Sequence, residues 1–472
     1  MKMTVGQRWV LALTSLAALM ITLDALVVTT ALPAIQRELH ASIAQLEWTI
    51  NAYGLSFAVL LMAGAALGER YGRRRVLMVG LVLFGAASVG CALAPSLGWL
   101  IAARAAQGIG AAVVMPVAMS LLSAAFGPEQ RTRALGLFAA VTGLATLGGP
   151  LVGGAVVQGL AWQWIFWLNV PLGAVLVPLI ATRLSESSGA ARALDYRGIA
   201  LVSVAAFGLV WGLVRGNESG WASGEVIGAF VAGAVALAGF ARWELRSPAP
   251  LIPMRFFGSR AFSAGNTVGF LLFASIFGGA FFFAQFLQLV QHNGPLGAGL
   301  RLAPWTVTLF LVAPIAGKQV NRFGERPLVV TGLLMQAIGY GWIALTASPE
   351  LPYPELIPPF VISGIGVSMA IPAAQSAVLR AVPLPAIGAA SGTFNTLRQL
   401  GGAFGIAVPA AVFATIGGLD SEQAFSDGFV GAVGTAAALA LAGAAIGLLI
   451  PRGAPTPQDI PANTADRIGA AS

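Results

Sequence analysis

Apolar runs of about 17 to 25 residues recur along nearly the whole chain, each long enough to cross a bilayer as a helix. Such runs leave few alternatives, because a backbone in hydrocarbon must satisfy its own N–H and C=O groups. Of the 472 residues, 57% are hydrophobic and 9% are charged, whereas soluble domains carry about 25% charged residues. The sequence therefore predicts an all-α polytopic membrane protein. Its 59 glycines fit this class, since small residues let helix backbones approach closely in lipid. The first run contains Asp24 and lacks a small-residue cleavage site beyond it, so it reads as a retained helix, not a signal peptide.

Fourteen spans can be placed, near residues 9–33, 48–68, 76–94, 97–124, 134–158, 165–183, 198–214, 225–245, 262–290, 298–320, 328–347, 355–379, 386–416 and 429–450. Basic residues orient them. With the N-terminus inside, 21 Lys and Arg fall in cytoplasmic segments and only Arg37, Arg215 and Arg301 fall outside. That bias sets both termini in the cytoplasm by the positive-inside rule. The net charge of +8 is thereby read as loop anchoring and not as a nucleic-acid surface.

The densest basic island, Ala65 to Leu77, carries Arg70, Arg73, Arg74 and Arg75 between two apolar runs. It has an echo. An offset of 252 places Arg322 on Arg70, Phe323 on Tyr71, Gly324 on Gly72, Arg326 on Arg74 and Gly332 on Gly80. The same offset sets Gly401 on Gly149 and Gly405 on Gly153. The chain is thus expected to be a duplicated six-helix unit, with a bundle over 1–184 and another over 262–450. Residues 185–261 would hold two inserted spans at the periphery, and 451–472 a disordered cytoplasmic tail rich in Pro, Ala, Thr and Asp. A parallel repeat about an axis along the membrane normal implies alternating access, with a site between the halves.

Asp24 is the only acidic residue well inside an expected span. A carboxylate in hydrocarbon is costly unless it is paired, hydrated or protonated. Two readings follow: a proton-coupling or cation-recognition site, or a polar tie between helices. Arg104, on the fourth span, lies at a similar depth, roughly 10–14 Å below the outer surface at 1.5 Å per residue. The two can pair directly or through water, and protonating Asp24 would then free Arg104. Alternatively, Arg104 only satisfies backbone carbonyls. The fifth span crowds Gly143, Gly148, Gly149, Pro150, Gly153 and Gly154 into a kinkable, smooth face. This reads as a pliable contact between the halves or as ordinary helix packing. Gln107, Met115, Asn266, Gln285, Gln288 and Arg398 are candidates for a cavity wall. Arg398, beside Gln399, reads equally as a cavity contact or as a lock to another helix. Phe273, Phe277, Phe281, Phe282, Phe283 and Phe286 suit bulky amphipathic ligands or, for most of them, contact with lipid.

Other chemistries lack their residues. No G-x-x-x-x-G-K-[S/T] loop is present, which argues against ATP-driven transport by this chain. The single cysteine, Cys91, excludes an intramolecular disulfide and a cysteine metal site. His40 and His292, near loop ends, support neither a metal site nor a catalytic triad.

Several stretches resemble the major facilitator superfamily, and within it the fourteen-helix drug/proton antiporter family of multidrug-resistance exporters. Leu67, Arg70, Gly72, Arg73, Arg74 and Leu77 match the loop pattern G-x-L-a-D-r-x-G-r-k-x-x-l, with Ala65 in place of its first glycine and Glu69 in place of its aspartate. L-I-A-A-R-A-A-Q-G-I-G-A-A (100–112) is similar to the fourth-helix pattern, and G-P-L-V-G-G (149–154) to the antiporter pattern of the fifth. W-Q-W-I-F-W-L-N-V-P-L-G (162–173) and L-D-A-L-V-V-T-T-A-L-P (23–33) resemble the same family, the latter departing at Leu26, Thr29 and Thr30.

The resemblance implies a major facilitator fold of two six-helix bundles plus two inserted helices. It implies a proton-coupled antiporter exporting drugs or other small amphipathic compounds, not an enzyme. Asp24 and Arg104 would couple protons. Glu69, Arg70, Gly72, Arg73 and Arg74 would form a cytoplasmic gate, with Glu69 meeting the N-terminal end of the thirteenth span. Gly149, Pro150, Gly153 and Gly154 would form the antiporter motif. No cofactor or metal is expected, the proton gradient supplying energy. The expected partners are a small-molecule substrate, protons and membrane lipid, with no nucleic acid. The protein would work as a monomer in a bacterial inner membrane. The alternatives are an exporter of one metabolite, amino acid or self-made antibiotic, an uptake symporter, and a non-transporting membrane sensor.

Overall fold

A computed structural model describes residues 3–126, 128–188, 195–248, 250–252, 254–382 and 387–451. The expected tail lies outside the described residues from 452 onward. Among the described residues there is helix and no strand. The first bundle comprises α1 (Val5–Leu39), α2 (Ile43–Tyr71), α3 (Arg73–Ala92), α4 (Leu97–Ala125), α5 (Pro128–Gly159), α6 (Trp164–Trp167) and α7 (Asn169–Arg183). Two helices follow, α8 (Tyr196–Ser219) and α9 (Gly224–Glu244). The second bundle comprises α10 (Arg260–Leu289), α11 (Pro295–Arg301), α12 (Ala303–Phe323), α13 (Glu325–Thr346), α14 (Tyr353–Arg380), α15 (Ile387–Ile416) and α16 (Glu422–Gly447).

Eleven of the described helices are long and apolar enough to cross a membrane, or thirteen if two bent pairs each form one span. Most helices outrun their apolar runs, because polar caps set the ends. Thr4 with Gln7 and Ser42 with Gln45 form capping boxes at α1 and α2. The α2 cap starts that helix several residues before the expected span and brings Glu47, 3% exposed, inside it. The tenth span is bent, while the sixth, Trp164–Arg183, runs on through a single turn residue without a sharp bend. α6 passes to α7 at Leu168, with Pro171 in the first turn of α7. α11 and α12 meet at 41°, with Pro304 just past the break. Proline lacks the N–H that would continue the ladder.

The two bundles pack alike. The second helix meets the fourth (α2 and α4, α12 and α14), and the first meets the fifth (α1 and α5, α10 and α15). The third meets the fourth (α3 and α4, α13 and α14) and the sixth (α3 and α7, α13 and α16). The echoed glycines sit at matching contacts. A Cβ at Gly149 or Gly153 would strike α1 at Leu26 or Thr30, and one at Gly401 or Gly405 would strike α10 at Phe270 or Ala274. The turns after α2 and α12 both need a left-handed residue, which Gly72 (φ 98°) and Gly324 (φ 83°) supply.

The halves meet unequally at their two ends. At the end opposite the arginine island, a single apolar cluster joins Val28, Leu32 and Trp162 to Phe282, Phe286 and Leu302. At the arginine-rich end each bundle has its own core. One is built around Leu13, Leu77, Leu121 and Leu184, the other around Phe262, Leu328, Val378 and Ala390. α8 is not merely peripheral. Val210 and Val214 pack with Leu55 of α2 and with Ala403 and Ala407 of α15, so α8 covers the seam between the halves. α9 packs behind it, with its apolar window only 22% buried.

Candidate functional site

Helix pitch puts Asp24 and Arg104 at one depth, and packing turns them toward each other. Arg104 Nη1 donates to Asp24 Oδ2 at 2.6 Å. The other carboxylate oxygen, Oδ1, accepts from Gln107 Nε2 at 2.9 Å and from Asn169 Nδ2 at 2.7 Å. Gln107 also donates to Ser88 Oγ (2.8 Å), and its Oε1 accepts from Arg104 Nη1 (2.6 Å). Arg104 Nε donates to the Thr49 carbonyl at 3.2 Å, and its guanidinium lies 4.3 Å from the centre of the Tyr53 ring. The cluster thus ties α1, α2, α3, α4 and α7. Arg104 is 0% exposed and Asp24 3%.

Burying two charges is costly, and the pair persists because nearly every lone pair and donor is satisfied. The exception is Arg104 Nη2, which is buried and makes no hydrogen bond. A proton on Asp24 would cancel the charge that holds Arg104 and leave donors crowding a neutral acid.

The expected residues do not all converge. Gln107, expected at a cavity wall, lies in the Asp24 network. Met115 is partly buried against the first bundle's core. Asn266 and Gln285 are buried and donate to the carbonyls of Phe262 and Phe281 on their own helix. Gln288 Nε2 crosses between the halves to the Thr30 carbonyl at 3.1 Å, at the sealed end. Most of the α10 phenylalanines are buried inside the protein. Phe281, Phe282, Phe283 and Phe286 are buried, and Phe283 packs edge-on against Tyr340 and Phe360. Packing density inside the bundle consumes their rings, leaving Phe273 and Phe277 beside Arg398 and Gly402.

At the arginine-rich end, Glu69 receives two hydrogen bonds from Arg73, at 2.8 and 2.7 Å. Arg70 lies 5.3 Å over the Tyr71 ring. Residues 383–386, which lead into α15 where Glu69 was expected to dock, lie outside the described residues. Sequence reasoning missed Glu186. Its carboxylate accepts from the backbone N–H of Arg74 (2.9 Å) and of Arg75 (3.2 Å), capping α3 from more than a hundred residues away. A Cβ at Gly72 would fall 2.8 Å from the Glu186 carboxyl carbon. Arg74 Nη1 also donates to the Leu184 carbonyl at 3.1 Å. Glu186→Ala is expected to cost about 1 kcal/mol as a lost helix cap, seen as a lower midpoint of thermal unfolding in detergent. An unchanged midpoint would mean that the cap adds nothing. Asn169, Ser88 and Thr49 were missed too. Only Asn169, a lone amide within an apolar run, left a visible signal.

The model of the Major Facilitator Superfamily matches residues 14–406 and 268–467. The tetracenomycin C resistance and export protein of Streptomyces glaucescens is 34% identical over 87% of this chain and 77% of its own length. The methylenomycin A resistance protein of Streptomyces coelicolor is 35% identical over 86% of each. The multidrug resistance protein Stp of Mycobacterium tuberculosis is 34% identical over 85% of this chain and 75% of its own. Among solved structures, a POT family transporter in complex with a thioalcohol-conjugated peptide superposes with a TM-score of 0.69 at 15% identity, covering 93% of this chain and 95% of that one. The nucleoside transporter NupG gives 0.64 at 15% identity, covering 93% and 99%. At such identities these two carry the fold alone.

Proposed function

This chain belongs to the Major Facilitator Superfamily, and on that premise we propose that it exports drug-like or antibiotic-like small molecules by proton-coupled antiport. It is a multi-pass membrane transporter and not an enzyme. The observation that carries the coupling is the buried Asp24–Arg104 pair, whose 2.6 Å contact a single proton would weaken. Export is supported by relatives named for resistance to tetracenomycin C and methylenomycin A and for multidrug resistance.

In this reading the chain spans the membrane fourteen times with both termini in the cytoplasm, and the arginine-rich end faces the cytoplasm. The sealed opposite end and the separate cores at the arginine-rich end correspond to an inward-facing form. The Glu69–Arg73 pair and Arg74 tune the cytoplasmic gate, and the proton gradient supplies the energy. Substrate leaves as a proton enters from outside and reaches Asp24.

The test is efflux of tetracenomycin C and a panel of drugs from vesicles with an imposed pH gradient, comparing wild type with Asp24→Asn. Gradient-driven efflux is expected from the wild type, with a drop of about tenfold or more in the variant, equivalent to ~1.4 kcal/mol on the limiting step. Equal efflux by both would remove Asp24 from coupling. Relatives named for one antibiotic favour a second reading, a narrow-range exporter, which transport of a single panel member would support.

A further inference from the structure

Two arginines lie deep in the spans. Arg104 has Asp24; Arg398 has no acidic partner among the described residues. Neither α15, which carries Arg398, nor α10, which packs against it, contains an aspartate or glutamate. Arg398 Nε is buried without a hydrogen bond, and the guanidinium carbon lies 5.0 Å from the centre of the Phe273 ring. The side chain as a whole is only partly buried. It lies about 16 Å along α15 from Ile387 at 1.5 Å per residue, too deep to reach water past the helix end by extending along lipid.

Its neighbours on the helix are polar. Asn395, Arg398, Gln399 and Gly402 stand three and four residues apart, so they share one face. All but Gly402 are partly exposed. Asn395 bonds back to its own helix at the Ser391 carbonyl, and Gln399 makes no hydrogen bond among the described residues. Gly402 brings this face onto α10, where a Cβ would lie 3.2 Å from the Phe277 ring. Phe273 and Phe277, with ring centres 6.5 Å apart, therefore flank the polar stripe. A guanidinium and an amide beside two aromatic faces can bind a flat aromatic ring and its acidic substituent together. In the first bundle, the Asp24 carboxylate is already bound by Arg104, Gln107 and Asn169.

We propose that Arg398, with Gln399, Asn395, Phe273 and Phe277, forms the substrate subsite, and that it selects aromatic compounds bearing a carboxylate or another acidic group over aromatic cations. This rests on the export reading above, but its test does not depend on transport.

Binding to the purified full chain is measured by equilibrium dialysis with three ligands of one ring system: anthracene-9-carboxylate, its carboxamide, and the (anthracen-9-yl)methylammonium cation. The carboxylate is expected to bind at least about tenfold more tightly than the ammonium ion. Arg398→Gln removes that preference and Arg398→Lys keeps part of it, with carboxamide binding changing little in either. Equal binding of acid and cation by the wild type overturns the proposal whether or not the variants fold. An undiminished preference in a monodisperse Arg398→Gln protein also overturns it. Binding selectivity without efflux in vesicles would sink the export reading and leave the subsite standing.

Discussion

Replacing Arg104 by methionine is expected to destabilise the protein by about 3–5 kcal/mol, because it strands the Asp24 carboxylate in a low-dielectric interior. The number follows from burial. Arg104 is 0% exposed and its side chain bonds Asp24, Gln107 and the Thr49 carbonyl. Loss of the pair's attraction is only part of the cost, the larger part being the unpaired charge that remains. Adding Asp24→Asn removes that charge and keeps an oxygen for Gln107 and Asn169, so the double variant should recover about half of the loss. Unfolding in detergent, followed for the wild type, both single variants and the double, gives the coupling energy directly. Additive losses would mean that the two side chains do not act as a pair. Asp24→Asn alone strands the buried Arg104 charge in the same way and should also destabilise, by about 3–5 kcal/mol, so its loss of gradient-driven efflux is read per folded, membrane-inserted protein.

A second large effect is expected at Gly154, where α5 meets the other half. A Cβ there would run into the Pro295 carbonyl oxygen and lie 2.7 Å from Leu296 Cα, both at the start of α11. These are backbone atoms, so no change of rotamer relieves the contact. Gly154→Val should therefore prevent the sealed end from closing and shift the population toward the form open at that end. Moving a two-state equilibrium from 1:99 to 99:1 takes about 5.5 kcal/mol, within reach of a backbone overlap. Transport is expected to fall about a hundredfold. Spin labels placed at Gln158 and Gly294, which face each other across this contact, should report a longer distance. Gly148→Val is the control, because a Cβ at Gly148 meets nothing within 4 Å. Wild-type distances and transport in Gly154→Val would show that this contact does not govern closure.

Several features of the fold were legible because they are local. Apolar run length dictates membrane helices, and serine and threonine caps dictate where they start, as Thr4 and Ser42 do. The turns at Gly72 and Gly324 need positive φ, so their spacing exposed the duplication before any contact was known. Depth is equally local: counting residues from the helix ends put Asp24 and Arg104 at one level. The expected span, which began at residue 48, left out Glu47, since the cap at Ser42 starts α2 at Ile43.

Which face meets which helix is a different matter. In a soluble bundle the apolar stripe marks the buried side, but lipid is as apolar as the protein interior, so the pattern carries little information on facing. The sequence by itself therefore determined the class, the repeated glycine turns and the common depth of Asp24 and Arg104. Only the tertiary structure decided that Asn169 and Ser88 complete the Asp24 site, that Glu186 caps α3, and that most α10 phenylalanines are core. It also decided that Arg398 stands beside Phe273 with no acidic partner among the described residues. Each of these depends on the rotation of one helix against another, set by close packing of small residues such as Gly149, Gly153 and Gly405 across long separations in the chain.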